Sequence, residues 1–322
     1  MNGPLETITH PEKLLFPADG ISKGELAAYY QALSSVMLPH LRRRPVTLER
    51  FPAGIEKKGF LQKDVSKGFP PWLERVEVAK RDGTVHHALI DDERSLLWLA
   101  NQNCITPHVW SSRLPALDTP DLCLFDLDPS REDAGELRDA ALAVRGLLDE
   151  LGLPCWLKTS GSKGFHIVVP LAGQSGFEVV WQFAHAVGAV LVQRHRTLLT
   201  QEFLKTERAG RILIDTGRNG QGATFAAAYA VRPKPGAPVS APCTWQELES
   251  GVAAPQSFRL RTMRERVEQV GDLWAELQQH GHALAAALER VRGLLSQEDW
   301  DESLRAVTRR PKPRKKRDAK RV

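Results

Sequence analysis

Residues 122–129, with the sequence LCLFDLDP, decide how the rest of the chain is interpreted. Four apolar residues lead into two carboxylates one residue apart, and a proline ends the run, which predicts a buried strand. Because alternate residues of a strand share a face, we expect Asp126 and Asp128 side by side, with Leu127 turned toward the core. Two adjacent carboxylates repel each other, and a hard cation such as Mg²⁺ or Mn²⁺ removes that cost. A turn that starts at Asp-Pro is the alternative interpretation of this stretch taken alone.

The composition is that of an ordinary globular protein. Of the 322 residues, 42% are hydrophobic and 26% are charged, and the chain is long enough to bury a substantial core. No apolar run is long enough to span a bilayer and no signal segment follows the N-terminus, so we expect no membrane partner and a cytoplasmic location. The cysteines occur singly, in or near apolar segments. We interpret them as reduced core residues and expect no zinc site.

Basic residues are concentrated at the C-terminus. Residues 309–321 contain nine of the 44 lysines and arginines but one of the 39 acidic residues, and the whole chain has a net charge of +5. The remaining sequence has a net charge of −3, so the body of the protein is slightly acidic. Such a run is typical of a disordered tail that contacts phosphates without sequence specificity, and a merely solubilising end is the alternative.

A second stretch, residues 155–170 (CWLKTSGSKGFHIVVP), predicts two strands joined by a turn of serine, glycine and lysine. Glycines let a backbone approach a phosphate closely, hydroxyls and amides donate hydrogen bonds, and Lys163 supplies positive charge. The stretch lacks the Walker A pattern, and a strand rather than a helix follows it. His166 begins the returning strand, so we expect it on a fixed face beside this loop.

A third apolar run, residues 212–215, again ends in a carboxylate, that of Asp215. A glycine-rich loop follows at residues 216–224 (TGRNGQGAT). Three carboxylates can hold two divalent ions about 3.5–4 Å apart. Two such ions, with lysines and arginines that hold phosphates, are what nucleotidyl transfer requires.

Several further residues have both a structural and a functional interpretation. Lys13 and Lys23 flank the predicted start of a helix, where they could hold a phosphate or simply be solvated. Phe60 and Leu61 lie near cations and could stack on bases, although such residues more often belong to a core. His108 could be a ligand or a structural histidine.

The order of these motifs resembles the archaeo-eukaryotic primase superfamily, and more closely the polymerase domain of bacterial DNA ligase D, the polymerase of non-homologous end joining. The motifs are DLDP at residues 126–129, KTSGSKGFH at 158–166 and RPKPGAPVS at 232–240. The resemblance runs from residue 10 to residue 248, which is most of the chain. It implies an α/β (α+β) class and a two-lobed primase-polymerase fold, in which helices flank an RRM-like antiparallel catalytic sheet.

The resemblance also implies a division of the chain. We expect a primase-polymerase catalytic domain over residues 1–307. Its N-terminal part, residues 1–115, would provide DNA contacts, and residues 116–307 would form the catalytic core and the C-terminal helices. Residues 308–322 would be the basic disordered tail.

The resemblance implies roles for the residues that match the family's motifs. Asp126, Asp128 and Asp215 are implied to be the catalytic residues and to bind two metal ions, Mn²⁺ or Mg²⁺. The residues implied to bind the incoming nucleotide are Arg50, His108, Ser160, Lys163, His166, Arg208 and Arg232.

The implied DNA contacts lie in the N-terminal part. Lys13 and Lys23 are implied to bind the 5′-phosphate of the downstream DNA strand, and Phe60 and Leu61 to lie against the template. Leu61 departs from the family's usual pair of aromatic residues. The loop at residues 216–224 departs from the family's asparagine-rich, lysine-containing stretch, so we expect its substrate contacts to differ.

The implied activity is metal-dependent addition of nucleotides, ribonucleotides in preference to deoxyribonucleotides, to DNA 3′ ends during gap filling and end processing at double-strand breaks. With 322 residues the chain is too short to hold a second catalytic domain such as a ligase beside the polymerase domain, so we expect a stand-alone polymerase. The implied partners are therefore gapped or broken DNA with a 5′-phosphate, NTPs or dNTPs, Ku and a separate DNA ligase, in the bacterial nucleoid. Two alternatives are a primase that starts chains de novo and a non-catalytic factor that bridges DNA ends.

Overall fold

The strand that carries Asp126 and Asp128 lies inside a mixed α/β structure, a computed structural model that describes residues 8–65, 68–80 and 83–308. Within these ranges the strands are β1 (Leu14–Phe16), β2 (Ile21–Ser22), β3 (Val46–Arg50), β4 (Phe60–Gln62), β5 (Arg75–Lys80), β6 (Gly83–Ala88), β7 (Cys104–Val109), β8 (Leu122–Asp128), β9 (Trp156–Thr159), β10 (Phe165–Pro170), β11 (Leu199–Thr200), β12 (Ile212–Asp215), β13 (Phe225–Ala226), β14 (Ala230–Val231), β15 (Val239–Ser240) and β16 (Pro242–Cys243). The helices are α1 (Lys23–Ala32), α2 (Ser34–Leu41), α3 (Glu93–Asn101), α4 (Ala134–Glu150), α5 (Phe177–Arg194), α6 (Trp245–Glu249), α7 (Leu260–Val270), α8 (Ala285–Gly293) and α9 (Gln297–Thr308).

Sheet A has the strand order β11-β12-β8-β10-β9-β16 among the described residues. Its strands are antiparallel to their neighbours, except that β11 and β12 are parallel. On β8, Asp126 is opposite Asp215 of β12 on one side and opposite His166 of β10 on the other. The preceding residues 123–125 are fully buried, as predicted for an apolar run that leads into carboxylates.

Helices α4 and α5 pack against sheet A and cover its apolar side chains. Helix α4 begins where the Asp133 carboxylate accepts a hydrogen bond of 2.9 Å from the Glu136 N–H, an N-cap that the spacing of these two acidic residues predicts. The apolar residues that recur at helical spacing along this segment are buried: Leu137, Ala140, Val144, Leu147, Leu148 and Leu151. Each fully buried large apolar side chain contributes roughly 1.5–3 kcal/mol, so this face holds the helix on the sheet.

Sheet B has the strand order β13-β7-β3-β6-β5 among the described residues, and β4 also pairs with β3. Strand β13 of sheet B follows a strand of sheet A in the chain. The chain leaves sheet A at Asp215, passes through residues 216–224 and then pairs with β7. This loop therefore connects the two sheets, whose ends border a common cleft. The predicted fold class, antiparallel sheets flanked by helices in a two-part α+β arrangement, is confirmed.

Two local predictions differ from the structure. The apolar spacing of residues 26–37 predicts one continuous helical face, but the structure divides it between α1 and α2, because the Leu33 backbone (φ −101°, ψ 8°) interrupts the helix. The pattern of residues 96–103 predicts a helix from Leu96, but α3 begins three residues earlier, at Glu93, because the Asp92 carboxylate caps it. In both cases the apolar side chains are buried as expected.

Other predictions concern the chain as a whole. The basic tail, predicted over residues 308–322, lies outside the described residues beyond Thr308. The predicted boundary at residue 115 stays a prediction, and one hydrophobic core extends from Ile8 to Trp300.

Cys104, Cys123, Cys155 and Cys243 are unpaired thiols in the described structure, as predicted. None of the helices in the described ranges is long and apolar enough to cross a bilayer.

Candidate active site

A cleft of about 350 Å³ opens between sheets A and B. Sheet A contributes the ends of β8, β10 and β12, and sheet B contributes β7 and β13. The cleft brings together most of the residues predicted for catalysis and nucleotide binding. These are Asp126, Asp128, Asp215, His108, Ser160, Lys163, His166, Arg208 and Arg232.

Asp126 and Asp215 face each other across β8 and β12 and share one cationic neighbour. The Arg218 Nε lies 3.6 Å from Asp126 Oδ2 and 3.4 Å from Asp215 Oδ2. Burial raises the pKa of Asp126 to about 6; the Arg218 charge opposes this rise, and the carboxylates of Asp215 and Asp128 add to it. Because this carboxylate is difficult to ionise, a bound cation would strongly stabilise its ionised form.

Asp128 is held by a different arginine. The buried Arg208 donates a hydrogen bond of 3.0 Å from Nη1 to Asp128 Oδ2. Its Nε and Nη2 donate to the carbonyls of Glu202 and Phe203 at 3.0 and 2.8 Å. Arg208, predicted to bind nucleotide, thus has its donors directed at a carboxylate and at backbone in this structure.

The carboxylates offer the hard oxygen donors that Mg²⁺ and Mn²⁺ prefer. Asp126 and Asp215 are close enough to contact one shared cation, since Arg218 contacts both. Asp128 is instead engaged by Arg208. Accordingly, in the part of the chain that the structure describes, no three acidic, histidine or cysteine side chains are gathered closely enough to hold an ion. The donor chemistry fits a metal ion, and the predicted metal triad stays a prediction.

The serine-glycine-lysine turn is shaped by its own hydrogen bonds. The Ser160 Oγ accepts bonds of 3.1 Å from the N–H groups of both Ser162 and Gly164. Gly164 needs to be glycine, because a Cβ there would lie 1.7 Å from the Leu127 carbonyl oxygen. This close approach fixes the turn against β8 and places Lys163 at the cleft beside the carboxylates.

His166 is buried and His108 is largely buried, and both favour the neutral form. Burial is the main cause that lowers the pKa of His166 well below its usual value, and nearby cations add to the effect. Its Nε2 lies 3.5 Å from Asp126 Oδ1. Burial also lowers the pKa of His108, whose Nε2 is 2.8 Å from Glu49 Oε2. Neither ring therefore adds a full positive charge to the cleft.

Sequence reasoning missed several charged residues of this site. Arg218 could have been found, because it follows Asp215 by three residues in a loop already noted as unusual. Lys158 opens the second motif, but it is fully buried and donates a hydrogen bond to the Ser240 hydroxyl. Burial lowers the pKa of this lysine well below its usual value. No sequence signal marked Glu49, because its contact with His108 depends on the pairing of β3 and β7.

Three other predicted residues lie away from this cleft. The Arg50 guanidinium lies 5.4 Å from the centre of the Phe60 ring and donates to Gln62 Oε1 and the Gln102 carbonyl at 2.6 and 2.8 Å. Phe60 and Leu61 are 47% and 60% exposed, so the alternative that they belong to the core is wrong. The structure thus groups Arg50 with the predicted template surface and not with the nucleotide-binding residues.

The two predicted phosphate-binding lysines lie next to each other. The Lys23 N–H donates to the Lys13 carbonyl at 2.8 Å. The Lys23 Nζ donates to Thr9 Oγ1 and Asn101 Oδ1 at 3.3 and 3.2 Å. Burial, and then the charge of Lys13, lowers the pKa of Lys23. Two neighbouring cations of this kind are suited to an anion.

Acidic strand ends beside a cationic glycine turn in one antiparallel sheet are the features of a primase-polymerase domain. A family model described as "LigD, primase-polymerase domain" matches residues 22–274. The chain belongs to this family.

Comparison with individual proteins agrees with this family assignment. The chain is 34% identical over 275 residues to "Multifunctional non-homologous end joining protein LigD" of Mycolicibacterium smegmatis, an alignment that covers 84% of this chain and 36% of the relative. It is 34% identical over 289 residues to the Pseudomonas aeruginosa protein of the same name, covering 89% and 34%. The chain thus spans about a third of the length of these curated relatives.

A solved structure also matches the fold. It is described as "Polymerase Domain from Mycobacterium tuberculosis Ligase D in complex with DNA". The match has a TM-score of 0.81 and 33% sequence identity and covers 85% of this chain and 98% of that chain.

Proposed function

We propose that this protein is a metal-dependent nucleotidyltransferase that adds nucleotides to DNA 3′ ends, with a preference for ribonucleotides, during gap filling and end processing in non-homologous end joining. The observation that carries the proposal is the cleft itself. In it, the facing carboxylates of Asp126 and Asp215 share one space with the cations Lys163 and Arg232. Metal binding and triphosphate binding need these two kinds of group side by side.

In this proposal Asp126, Asp128 and Asp215 hold two divalent ions, Mn²⁺ or Mg²⁺. When bound, such ions lower the pKa of the attacking 3′-hydroxyl and stabilise the negative charge of the leaving pyrophosphate. The protein's own contribution is to bury carboxylates, whose ionised forms a bound cation then stabilises. Support for this comes from Asp126, whose pKa is raised by burial, and from Arg218, which contacts two of the three carboxylates.

The cations of the cleft bind the triphosphate. Lys163 extends from a turn that its glycines allow to pack against β8. Arg232 donates from Nη1 to the Ser160 carbonyl at 3.4 Å, and its buried Nε has no hydrogen-bond partner in the described structure. Neutral His166, next to Asp126, adds no charge that would compete with a metal ion.

DNA contacts complete the proposal. Lys13 and Lys23 bind the 5′-phosphate of a downstream strand, and exposed Phe60 and Leu61 contact the template. The matching polymerase domain of the M. tuberculosis ligase D was solved with DNA, which supports DNA as a partner here. The curated relatives are end-joining proteins, and we propose that this chain acts together with Ku and a DNA ligase.

The test is extension of a gapped DNA with a downstream 5′-phosphate, in the presence of Mn²⁺ and either NTPs or dNTPs. We expect the wild type to extend the primer, faster with NTPs, and the double variant Asp126→Ala/Asp128→Ala to be inactive. The matched control, Asp139→Ala, removes an exposed carboxylate of α4 and should keep the wild-type rate. Efficient synthesis without a primer would instead identify a de novo primase. Tight binding of the gap without any extension by the wild type would refute the enzyme proposal and favour the end-bridging alternative.

A further inference from the structure

Arg218 reaches between the two carboxylates that face each other across β8 and β12. Its Nε is 3.6 Å from Asp126 Oδ2 and 3.4 Å from Asp215 Oδ2. Both carboxylate side chains are 18% exposed, whereas the Arg218 side chain is 46% exposed. The carboxylates are therefore enclosed, and the arginine approaches them from the open side of the cleft.

The two arginines that pair with carboxylates in this cleft are held differently. Arg208 is buried, donates a hydrogen bond to Asp128, and is fixed by the carbonyls of Glu202 and Phe203. The distances from Arg218 are longer than the roughly 2.7–2.9 Å of charge-assisted hydrogen bonds. Arg218 is thus held by charge without short directed bonds, and a stronger cation can displace it.

The backbone beside Arg218 is firmly anchored. The buried Asn219 side chain exchanges two hydrogen bonds of 2.7 Å with the backbone N–H and carbonyl of Leu124. The Gly217 N–H donates to Asp215 Oδ1 at 2.9 Å. Because the backbone on both sides is attached to β8 and β12, displacement of the guanidinium requires only rotation of its own side chain. Arg218 is also the single cationic residue in the sequence of the loop, residues 216–224.

We propose that Arg218 is a resident counter-ion of the Asp126–Asp215 pair, which a divalent ion displaces, and that the displaced guanidinium then binds the triphosphate of the incoming nucleotide. This inference rests on the proposed function and deepens it. A guanidinium and a divalent ion cannot occupy the same place between two carboxylates, so they compete. A triphosphate gives the displaced guanidinium a partner that it can bind through two parallel hydrogen bonds.

This exchange couples metal binding to nucleotide binding. Without nucleotide, the metal ion must displace Arg218 into solvent, and its affinity is reduced. With nucleotide, the displaced arginine gains a new partner, and the affinity recovers. Because such coupling is reciprocal, the metal raises the affinity for the nucleotide by the same factor.

The experiment measures Mn²⁺ binding and not turnover. Electron paramagnetic resonance of free Mn²⁺ gives its affinity for the protein alone and with an α,β-methylene nucleoside triphosphate, after subtraction of Mn²⁺ bound by the analogue alone. The variants are Arg218→Gln, which removes the charge, and Arg218→Lys, which keeps it. The matched control is Arg131→Gln, which removes an exposed arginine three residues beyond Asp128 that pairs with Glu136. Circular dichroism checks that each variant is folded.

We expect Arg218→Gln to bind Mn²⁺ about tenfold more tightly than the wild type in the absence of nucleotide, as suits a half-exposed cation beside two largely buried carboxylates. The enhancement by the analogue should fall by a similar factor, while Arg218→Lys and Arg131→Gln should stay within about threefold of the wild type. Equal or weaker Mn²⁺ binding by Arg218→Gln would overturn the inference while leaving the proposed function intact. A wild type that binds no Mn²⁺ even with the analogue would overturn the proposed function and the inference together.

Discussion

Replacement of Asp126 by asparagine should stabilise the metal-free protein at about pH 8 and have a smaller effect near pH 4.5. Asp126 is a largely buried carboxylate with two other carboxylates in its neighbourhood, and burial raises its pKa to about 6. Asparagine has nearly the same shape and carries no charge to desolvate. The variant therefore removes a cost that the folded protein bears for keeping an ionised group at this position.

The direction and size follow from the pKa. Because the folded-state pKa lies above that of an unfolded chain, the native state holds the Asp126 proton more tightly, and stability falls as the pH rises from about 4 to about 6. A shift from the ordinary value of 3.8 to about 6 corresponds to about 3 kcal/mol at about pH 8, at 1.36 kcal/mol per pKa unit. Near pH 4.5 about 1 kcal/mol remains, so the stability gap between variant and wild type should narrow by about 2 kcal/mol.

Urea unfolding in the presence of a chelator, at both pH values, measures this gap directly. Asp139→Asn, which replaces an exposed carboxylate of α4, is the matched control. The difference between its free energy of unfolding and that of the wild type should depend little on pH. Added Mn²⁺ should stabilise the wild type more than Asp126→Asn, because the variant lacks one of the carboxylates proposed to bind the metal. A gap for Asp126→Asn that does not change between the two pH values would refute the claim that burial of this carboxylate is costly.

Three further substitutions test the roles of individual side chains. Arg208→Ala removes a buried guanidinium that donates to Asp128 and to two backbone carbonyls, and should lower the free energy of unfolding by about 2 kcal/mol; an unchanged urea midpoint would contradict these contacts. Phe60→Ala removes a half-exposed ring, so it should leave thermal stability unchanged but weaken binding to a template overhang about tenfold in fluorescence anisotropy. A loss of stability instead would indicate a packing role. Lys13→Ala should reduce the ratio of the Kd values for gapped DNA without and with a 5′-phosphate toward one, and a ratio like that of the wild type would exclude this lysine from phosphate binding.

The sequence predicted the central sheet well because its signals are local. An apolar run that ends in carboxylates forms β8, a second such run forms β12, and the turn between β9 and β10 has the expected serine, glycine and lysine. Side-chain alternation along β8 was enough to predict that Asp126 and Asp128 lie on one face. The pairing of Asp126 with Asp215 depends on strand register, which a single sequence does not specify in the absence of a short hairpin.

The charged contacts were harder to predict because they join residues far apart in the sequence. Glu49 meets His108, and Arg208 turns to Asp128, through sheet pairing and loop geometry that no local pattern encodes. Arg50 was assigned by resemblance to the nucleotide, yet its hydrogen bonds place it beside Phe60. Long polar side chains can turn to either side of a strand end, so motif position alone does not decide their partners.

The central claim is that the facing carboxylates of Asp126 and Asp215 support nucleotidyl transfer. The most direct measurement is single-turnover addition of one templated NTP to a gapped DNA with Mn²⁺, in which extended primer and released pyrophosphate are counted together for the wild type and Asp215→Asn. We predict one pyrophosphate per added nucleotide in the wild type and a loss of at least about a hundredfold in rate for the variant, as expected when a group that stabilises transition-state charge is removed. Extension by Asp215→Asn at the wild-type rate, or extension by the wild type without pyrophosphate release, would contradict the account.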